Sequence, residues 1–511
     1  MTRKVIFIAF VVSLGGFLFG FDAGIISGVM SYVTPEFDLS EWQEGWVVSS
    51  PSFAAMLAML VSGRLSDVIG RKKILIIVAF LYALSALFSA YAYSFETLFI
   101  ARMIGGVAFG AALVLAPTYI AEISSSKNRG KLVSLQQLNI VLGFFAAFLS
   151  NYYLNKSNTE GSSFFTDENV WRWMLGIEFI PAILYFIFMF FVPRSPRWLY
   201  TKNLVDEAKK VLSGIYGEKT ASEEISNIES STVQNTSKIN VFELFKPSLR
   251  FILLVGLVIG VLQQITGINA IYFYATSIFK QTGIGTNASF TSGVLMSFIT
   301  VLFTFVAIFS IDKMGRRPLL LIGMGGIAIS LLLCAYGFNN AEYKITAEKI
   351  EMMDLKEMDA SDLEFAMNKN FNNDVEFKNA MKENLGTKLY AKNEGAILEG
   401  AITINATLIL IGILGFIACF AFSLGPVMWV LLSELYPSKY RGLAIGFIGF
   451  INSFSSWVVQ QVFPWELSNL GNSLSFLIFG LIATAGFLVM LKILPETKGK
   501  SLEEIEAQYV K

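Results

Sequence analysis

Long apolar runs recur along the whole chain, and each is close to the length that an α-helix needs to cross a bilayer. About 20 residues span roughly 30 Å of hydrocarbon. The runs show no short apolar core with a cleavage site, so the first is expected to be retained. The sequence predicts an all-α membrane protein with twelve transmembrane helices, near residues 5–31, 46–62, 74–92, 97–121, 132–153, 172–192, 250–279, 290–311, 318–338, 401–432, 442–463 and 473–494.

The composition supports a membrane location and argues against several classes of function. Hydrophobic residues make up 54% of the 511 residues and charged residues only 15%, which is unusual for a soluble chain. The net charge of zero gives no reason to expect a nucleic-acid partner. The chain has no histidine, and Cys334 and Cys419 both lie within apolar runs, where packing is the expected role. We therefore expect no metal, no cofactor and no enzymatic activity, and any proton chemistry must use carboxylates.

The distribution of Lys and Arg between the short loops predicts the orientation in the membrane. An even number of helices places both termini on one side. The opposite loops hold only Lys156, Arg172 and Lys280, whereas the loops on the side of the termini hold Arg64, Arg71, Lys72, Lys73, Lys127, Arg129, Lys131, Lys313, Arg316, Arg317, Lys439 and Arg441. This bias predicts a multi-pass protein of the plasma membrane (the inner membrane of the cell) with both termini in the cytoplasm. The polar stretch 194–249 is then a cytoplasmic linker with helices.

Two loop sequences occur once in each half of the chain. SDVIGRKK (66–73) recurs as IDKMGRRP (311–318), and AEISSSKNRG (121–130) recurs as SELYPSKYRG (433–442). The offset is 312 − 67 = 245 for the first pair and 434 − 122 = 312 for the second, so 312 − 245 = 67 residues are inserted in the second half. Repeated six-helix halves, here 1–193 and 250–511, are typical of transporters with a central site.

The insertion coincides with a polar stretch, 339–400, between the ninth and tenth predicted spans, which the orientation places outside the cytoplasm. Its charged residues alternate with scattered Ile, Leu, Met and Phe, a pattern that predicts short amphipathic helices. It is either a solvated cap without a dedicated partner or a segment that docks a partner or covers the transport pathway. The sequence identifies no protein partner for it.

Seven motifs carry a resemblance to a known family. They are GRLSDVIGRKK (63–73), PTYIAEISSSKNRGKLVSLQQ (117–137), VPRSPRWL (192–199), QQITGINAIYFYA (263–275), DKMGRRP (312–318), GPVMWVLLSELYPSKYRG (425–442) and PETKGKSLEEIE (495–506). With them the chain resembles the sugar porter family of the major facilitator superfamily over nearly its whole length, the insertion excepted. Within that family it is similar to the bacterial proton-coupled xylose transporter and the animal glucose facilitators. The resemblance implies two pseudo-symmetric six-helix halves.

The repeated loops place an Asp three residues before a Gly-Arg pair, where the glycine allows a tight turn and charges can pair between helices. The resemblance implies that each loop belongs to a clamp that closes the cytoplasmic side in one state and parts in the other. The implied members are Gly63, Asp67, Gly70, Arg71, Glu122, Arg129, Asp312, Gly315, Arg316, Glu434 and Arg441. Alternatively the arginines only set the orientation, which leaves the repeated acidic residues unexplained.

The resemblance also implies a sugar site made of uncharged side chains within the spans. Amides offer both donors and acceptors to sugar hydroxyls, and an aromatic face suits the C–H side of a sugar ring. Gly267 is expected to loosen the seventh helix beside the ligand. Taken singly, each amide is equally well explained as a bridge between membrane helices. The implied set is Gln137, Gln263, Gln264, Asn269, Trp429 and Asn452.

Five positions depart from the family pattern. Arg194 replaces a family Glu in PRSPRW (193–198), which predicts a local change in cytoplasmic pairing rather than a loss of transport. The other four lie in the implied sugar pocket, where the identity of the sugar is therefore left open: Phe144, Phe273, Thr300 and Ser453.

One carboxylate, Asp22, lies deep in the first apolar run, where an ionised Asp costs roughly 2.5–3.5 kcal/mol. It lies eight residues before Met30, about 12 Å from the far end of the run, and Arg102 lies about 9 Å deep from the same side. The similar depths predict an ion pair between them. The resemblance implies that this pair, with Glu178 as a further buried carboxylate, couples sugar transport to protons. The alternative is a permanent pair that only orients helices.

These observations predict a transporter that imports a monosaccharide, pentose or hexose, together with a proton by alternating access. A uniporter with the same pocket is the nearer alternative. A transporter-like sugar sensor would need a long cytoplasmic tail, and only residues 495–511 follow the last apolar run. The predicted partners are therefore the sugar, the proton and the lipid bilayer, and no catalytic residue is expected.

Overall fold

A computed structural model describes residues 3–125, 128–160, 164–233, 241–350, 353, 355–437, 439–500 and 502–509. Within these ranges, twelve helical segments are long and apolar enough to cross a membrane, which confirms the predicted fold class. The helices of the twelve spans, in chain order, are Arg3–Phe37, Glu41–Ile69, Arg71–Ala90, Phe95–Ile123, Arg129–Thr159, Val170–Gly176 with Phe179–Phe191, Arg250–Ile265 with Ile268–Phe273 and Ala275–Lys280, Gly285–Met314, Arg316–Asn339, Ala406–Phe422 with Leu424–Leu435, Arg441–Asn469, and Gly471–Ile493.

Several helices run beyond the apolar stretches predicted from the sequence. The second span covers Glu41–Ile69, whereas the apolar run covers only 46–62. Glu41 and Glu44 lie in its first turn, where carboxylates interact favourably with the free N–H groups and the helix dipole. Hydropathy therefore located the spans, while helix termini depend on local capping that hydropathy does not register.

Three spans are interrupted, and two of the interruptions lie beside predicted site residues. The sixth span breaks between Gly176 and Phe179, at Glu178. The seventh breaks at Gly267, which adopts a left-handed conformation with φ 89°. A side chain at Gly267 would also lie within 3 Å of the Phe479 ring, so both the backbone angle and the close packing require glycine. The sequence suggested this second break but not the first.

The linker forms a group of short helices, Pro196–Thr201, Val205–Tyr216 and Glu218–Val233, followed by two 3₁₀ turns, Val241–Phe245 and Pro247–Leu249. The helix Val205–Tyr216 attaches to the first half through Tyr216, whose hydroxyl donates to the Ile123 carbonyl at 2.7 Å. Lys4 donates from Nζ to the Gly214 carbonyl at 3.0 Å. These contacts hold the helix Val205–Tyr216 against the ends of the first and fourth spans.

The insertion is a small folded module rather than helices alone. It contains the helices Ala347–Ile350, Asp374–Leu385 and Thr387–Ala401 and the 3₁₀ turn Ala360–Ala366. Three short strands, β1 (Glu342–Lys344), β2 (Asn370–Phe371) and β3 (Ile402–Thr403), form an antiparallel sheet in the order β2-β1-β3. Phe377 packs in its core against Tyr343 and Phe371. The sheet was not predicted, because strands of two or three residues carry no readable period.

Two compact units divide the described chain, and they do not follow the two sequence halves. The first contains 1–22, 50–144 and 175–240, and its core joins the first, third, fourth and sixth spans around Tyr82, Tyr119 and Tyr185. The second contains 23–49, 145–174 and 241–511. The end of the first span and the segment between the fifth and sixth spans thus pack with the second half and the insertion.

Candidate functional site

Asp22 and Arg102 form a buried ion pair between the first and fourth spans, within the first unit. Arg102 donates from Nη1 to Asp22 Oδ1 at 2.6 Å. The residues are 8% and 2% exposed, so each charge has lost most of its water and depends on the other for compensation. The structure therefore brings together the two residues that the depth argument pairs, and removing Arg102 would leave Asp22 buried without its cation.

Glu178 lies close to this pair, at the break in the sixth span. It is 4% exposed and interacts electrostatically with both Asp22 and Arg102. Tyr82, which sequence reasoning missed, is buried beside the two carboxylates, and its hydroxyl donates to the Gly15 carbonyl at 3.1 Å. The cluster thus holds two carboxylates and one guanidinium, an arrangement in which Arg102 has a second possible anionic partner.

Four of the predicted sugar-site amides form one hydrogen-bonded chain in the second unit. Asn269 donates to Gln264 Oε1 at 2.8 Å, and Gln264 donates to Asn452 Oδ1 at 3.2 Å. Asn452 in turn donates to Gln263 Oε1 at 2.8 Å. The break at Gly267 places Asn269 on a separate helical segment that faces back towards Gln264. The amides on the seventh and eleventh spans therefore satisfy one another within this chain.

The chain of amides continues through two residues that sequence reasoning missed. Asn269 also donates to Ser456 Oγ at 2.6 Å, and Gln460 donates from Nε2 to the same oxygen at 2.7 Å. Asn452, Ser456 and Gln460 are spaced by four residues and lie on one face of the eleventh span. That polar stripe within an apolar helix was the available sequence signal.

The other two predicted sugar contacts lie apart from this network. Trp429 on the tenth span is 40% exposed and packs near Gly449 of the eleventh, which leaves much of its ring uncovered. Gln137 is half-buried on the fifth span and belongs to the first unit. Beside it, Gln136 is buried and its Oε1 has no hydrogen-bond partner among the described atoms.

The departures from the family pattern are accommodated by local contacts. Thr300 forms a hydrogen bond with the hydroxyl of Tyr272 and also donates to the Met296 carbonyl at 3.0 Å. Phe273 in the second unit and Phe144 in the first are 5% and 8% exposed. These positions therefore contribute packing and internal hydrogen bonds in this structure, and Ser453 is half-buried.

The first predicted clamp is assembled within the first unit. Arg71 donates from Nε to Glu122 Oε1 at 3.1 Å and pairs through Nη1 with Asp67 Oδ1 at 2.6 Å. Arg71 Nη1 also donates to the Ser66 carbonyl at 3.1 Å. Ser195 donates to the other oxygen of Glu122, Oε2, at 2.5 Å. One guanidinium therefore ties together the loop 66–71 and the end of the fourth span.

The second clamp repeats this arrangement in the second unit. Arg316 forms two hydrogen bonds with Glu434, from Nε at 3.0 Å and from Nη2 at 2.7 Å. Its Nη1 donates to the Ile311 carbonyl at 3.1 Å. Thr497 donates to Glu434 Oε2 at 2.6 Å, so it occupies the place that Ser195 has in the first clamp. Sequence reasoning missed both hydroxyls, although SPR (195–197) and TKG (497–499) follow Pro at matching distances.

The remaining predicted clamp residues have different surroundings. Gly70 and Gly315 both adopt φ 97° and precede the third and ninth spans, so the loop geometry is repeated. The Gly63 carbonyl accepts from Ser66 at 2.7 Å. Arg441 donates from Nε to the Tyr436 carbonyl at 3.2 Å. Its described hydrogen bonds do not include one to Glu434. The side chains of Arg129 and Asp312 lie outside the described part of the structure.

One capping contact differs between the halves. Glu496 accepts from the backbone nitrogens of Arg316 and Arg317, both at 3.1 Å, and so caps the ninth span. Arg194, which stands at the corresponding place in the first half, pairs with Glu207 at 3.5 Å, and among the described contacts no side chain accepts from the backbone nitrogens of Arg71 and Lys72. The predicted change in cytoplasmic pairing at Arg194 is therefore a missing cap.

The chemistry available at these residues is binding and proton exchange. Among the described residues, no group of three or more His, Cys, Asp or Glu is arranged to hold a metal ion. The amide network offers neutral donors and acceptors, and the Asp22 cluster offers carboxylates next to one cation.

Comparison with known proteins identifies the family. The sequence profile of the family described as "Sugar (and other) transporter" matches residues 8–352 and 386–509. The chain is 34% identical over 508 residues to the arabinose-proton symporter of Bacillus subtilis (strain 168), covering 99% of this chain and 95% of that protein. It is 32% identical over 503 residues to the D-xylose transporter of Levilactobacillus brevis, covering 98% and 95%.

Solved structures show the same fold. A partially occluded inward-open conformation of the xylose transporter XylE from E. coli matches with a TM-score of 0.75 and 26% identity, covering 98% of this chain and 100% of that one. An inward-open conformation of XylE also matches with a TM-score of 0.75, at 27% identity, with coverage of 99% and 100%. These neighbours are transporters rather than enzymes. The chain is a multi-pass membrane protein that belongs to the sugar porter family of the major facilitator superfamily.

Proposed function

We propose that this protein is a symporter that imports a monosaccharide together with a proton by alternating access. The observation that carries proton coupling is the buried Asp22–Arg102 pair with Glu178 beside it. Relatives named as an arabinose-proton symporter and a D-xylose transporter support a sugar substrate. The protein lies in the plasma membrane with both termini in the cytoplasm, an orientation supported by the Lys and Arg bias of its short loops.

Proton coupling follows from the choice of partners available to Arg102. While Asp22 is ionised, Arg102 compensates its charge at 2.6 Å. A proton that arrives from outside binds a carboxylate oxygen of Asp22, which neutralises it and weakens its hold on Arg102. Arg102 then interacts mainly with Glu178, the remaining carboxylate of the cluster. This exchange of partners shifts the balance between two arrangements of the helices that carry these residues.

Sugar binding uses the amide network as a set of replaceable hydrogen bonds. Without sugar, Gln264, Asn269 and Asn452 satisfy one another. A sugar hydroxyl that enters must exchange these bonds for its own, so the net gain per bond is modest. A ligand whose hydroxyls do not match leaves buried amides unpaired, at a larger cost, and this difference provides selectivity.

The two clamps are proposed to stabilise the closed cytoplasmic side. Each uses a charge-assisted Arg–Glu contact at the end of a span, and the second is bidentate. Their repetition in both units supports a matched role. Their side chains keep limited contact with solvent, at 14% and 8% exposure in the first clamp and 12% and 23% in the second.

The test is uptake of labelled xylose, glucose, galactose and arabinose into cells or vesicles, with and without a protonophore. We expect accumulation of at least one sugar, loss of accumulation with the protonophore, and alkalinisation outside when that sugar is added. Uptake that only equilibrates and ignores the protonophore would indicate the alternative, a uniporter. Absence of transport for every sugar would contradict both.

The variant Asp22→Asn separates coupling from transport. An amide cannot take up the proton, so we expect sugar counterflow to persist while accumulation and proton movement are lost. Wild-type proton movement in Asp22→Asn would show that Asp22 is only a structural partner of Arg102.

A further inference from the structure

The insertion connects to the second sequence half through buried polar contacts. Asp374 Oδ2 accepts from the backbone and side-chain nitrogens of Asn472, at 2.9 and 2.8 Å, at the start of the twelfth span. Asp374 is 7% exposed and pairs with the equally buried Lys378 at 3.4 Å. Gln281, which follows the seventh span, donates to Glu394 at 2.9 Å. The module is therefore attached to its own half at two places.

The insertion also reaches two segments of the first sequence half, and both belong to the same compact unit as the module. Lys356 Nζ contacts Asp167 Oδ2 at 2.5 Å, in the connection between the fifth and sixth spans. Thr387 donates to Asp38 Oδ1 at 3.2 Å, directly after the first span. Both are contacts between sequence halves that transport by alternating access must move relative to each other.

Lys356 is held in position by the rest of the module. The buried Asn393 accepts from the Lys356 backbone nitrogen at 2.7 Å and donates to the Lys356 carbonyl at 3.0 Å. The next residue, Glu357, adopts a positive φ of 58° and pairs with Lys392 at 2.8 Å. On the other side, Asn158 donates to Asp167 Oδ1 at 2.7 Å. Both partners are thus preorganised, which reduces the entropy lost when they pair.

The outer surface of the module does not favour a protein-docking role. Among its described residues between 341 and 405, none of the large apolar side chains is strongly exposed, because they pack into the core around Phe377. Four of its polar side chains instead contact segments outside the module, and these are Lys356, Asp374, Thr387 and Glu394. The family profile omits residues 353–385, so Lys356 lies in a segment that the common family sequence does not supply.

On this basis we propose that the insertion is a latch that moves with the second half. Its contacts Lys356–Asp167 and Thr387–Asp38 hold the first half, so that the sugar site stays closed on the insertion side. This inference rests on the proposed transport by alternating access. Opening towards that side requires both contacts to break. Removing the latch therefore raises the fraction of molecules that are open to external sugar, and the apparent affinity rises in the same proportion.

The first measurement follows the latch without requiring transport. Spin labels at the exposed Glu168 and Lys388, in a protein with Cys334 and Cys419 replaced by Ala, report the distance between the first half and the module. We expect one short distance in the parent protein and an added population at longer distance in Lys356→Met. Lys369→Met is the matched control, since the exposed Lys369 lies over the Phe371 ring within the module. The charge exchange Asp167→Lys with Lys356→Asp should recover the short distance.

The second measurement is the external sugar concentration that gives half-maximal uptake. The Lys356–Asp167 pair is about half exposed, with side-chain exposures of 52% and 49%, so we expect this concentration to fall by up to about fivefold in Lys356→Met and to stay unchanged in Lys369→Met. If Lys356→Met and the control variant gave the same label distances and the same half-saturating sugar concentration, the latch would be overturned. A longer label distance in Lys356→Met, together with no transport of any sugar, would support the latch and contradict the proposed function.

Discussion

Buried ionisable side chains depend directly on the partners that compensate their charge. Asp22 and Arg102 lie within the bilayer span and compensate each other at 2.6 Å. A carboxylate and a guanidinium at matching depth could be paired from the sequence, because helical rise converts residue number into depth. The approach of Glu178 was implied only by the family resemblance, because it depends on the break in the sixth span and on how that span packs.

The variant Arg102→Met should destabilise the protein strongly, because it leaves Asp22 buried without its cation. We expect a loss of roughly 3–5 kcal/mol, seen as a lower temperature of unfolding in detergent. The double variant with Asp22→Asn should recover part of that loss, since Asp22 then no longer needs the cation, whereas the buried Glu178 remains. Equal unfolding temperatures for the single and the double variants would contradict the pairing.

The variant Asn452→Leu tests the amide network at the proposed sugar site. It removes the donor to Gln263 and the acceptor of Gln264, so buried polar atoms lose their partners at about 1–3 kcal/mol. We expect the half-saturating sugar concentration to rise about tenfold. Ser455→Ala is the control, because its hydroxyl bonds only to the Ile451 carbonyl of its own helix among the contacts assigned to it. The same rise in both variants would argue against a direct role of the network.

Among the helices, the third and ninth spans follow the same loop motif but differ in how their first N–H groups are capped. Gly70 and Gly315 share the same φ, and Arg71 and Arg316 each donate from Nε to a glutamate at the end of a span. The N–H groups that start the ninth span are capped by Glu496, whereas the third span has Arg194 at the equivalent place. A positive side chain at a helix N-terminus is also unfavourable to the helix dipole.

Arg194→Glu should therefore stabilise the first half. By analogy with Glu496, the new carboxylate is expected to accept from the backbone nitrogens of Arg71 and Lys72, worth about 1 kcal/mol. The exposed contact with Glu207 that is lost contributes little. Thermal unfolding is the measurement, and Arg194→Ala is the control for simple removal of the positive charge. If Glu and Ala gave the same unfolding temperature, capping would not be the cause.

The interruptions of the sixth and seventh spans are also features of individual helices. Gly267 was a readable signal for the seventh span, because glycine tolerates the left-handed angle that the break requires. The sixth span breaks directly after Gly176 and four residues before Pro181, which cannot donate a helical hydrogen bond to the Ile177 carbonyl. The break places Glu178 where it interacts with Asp22 and Arg102.

At the scale of the whole molecule, the compact units show that the halves in sequence and the units in space need not coincide. Residues 23–49 and 145–174 of the first half belong to the unit that contains the second half. Within that unit Ser27 meets Thr276 at 3.0 Å and Asn155 donates to Asn287 at 2.7 Å. Transport by alternating access requires such contacts to separate, and the insertion adds two more of them.

The contact between Asp167 and the insertion should be insensitive to pH in the physiological range. Burial opposes ionisation of Asp167, but hydrogen bonds from Lys356 and Asn158, together with the charges of Lys356 and Lys392, outweigh it and lower its pKa below the ordinary 3.8. The ionised Asp167 therefore stabilises the contact fully at pH values above its ordinary pKa. This stabilisation is lost only as the pH falls through the lower pKa of the folded state.

We therefore expect the label distance between residues 168 and 388 to stay constant from about pH 8 to pH 5, and the pH dependence of uptake in that range to remain in Asp167→Asn. The same distance measured in Asp167→Asn provides the control for a broken contact. A lengthening between pH 7 and pH 5 in the parent protein would show that Asp167 is not ionised throughout, contrary to its charged surroundings.

Hydropathy, loop charge and local motifs were enough to predict the twelve spans and the repeated loops, whereas most residues of the candidate sites were implied by the resemblance to a known family. Tertiary structure alone decided that Ser195 and Thr497 complete the clamps, that Ser456 and Gln460 extend the amide network, and that three short strands organise the insertion. Each of these features joins residues that are distant in sequence or too few to form a pattern. Their partners are selected by packing, which periodicity within one segment does not encode.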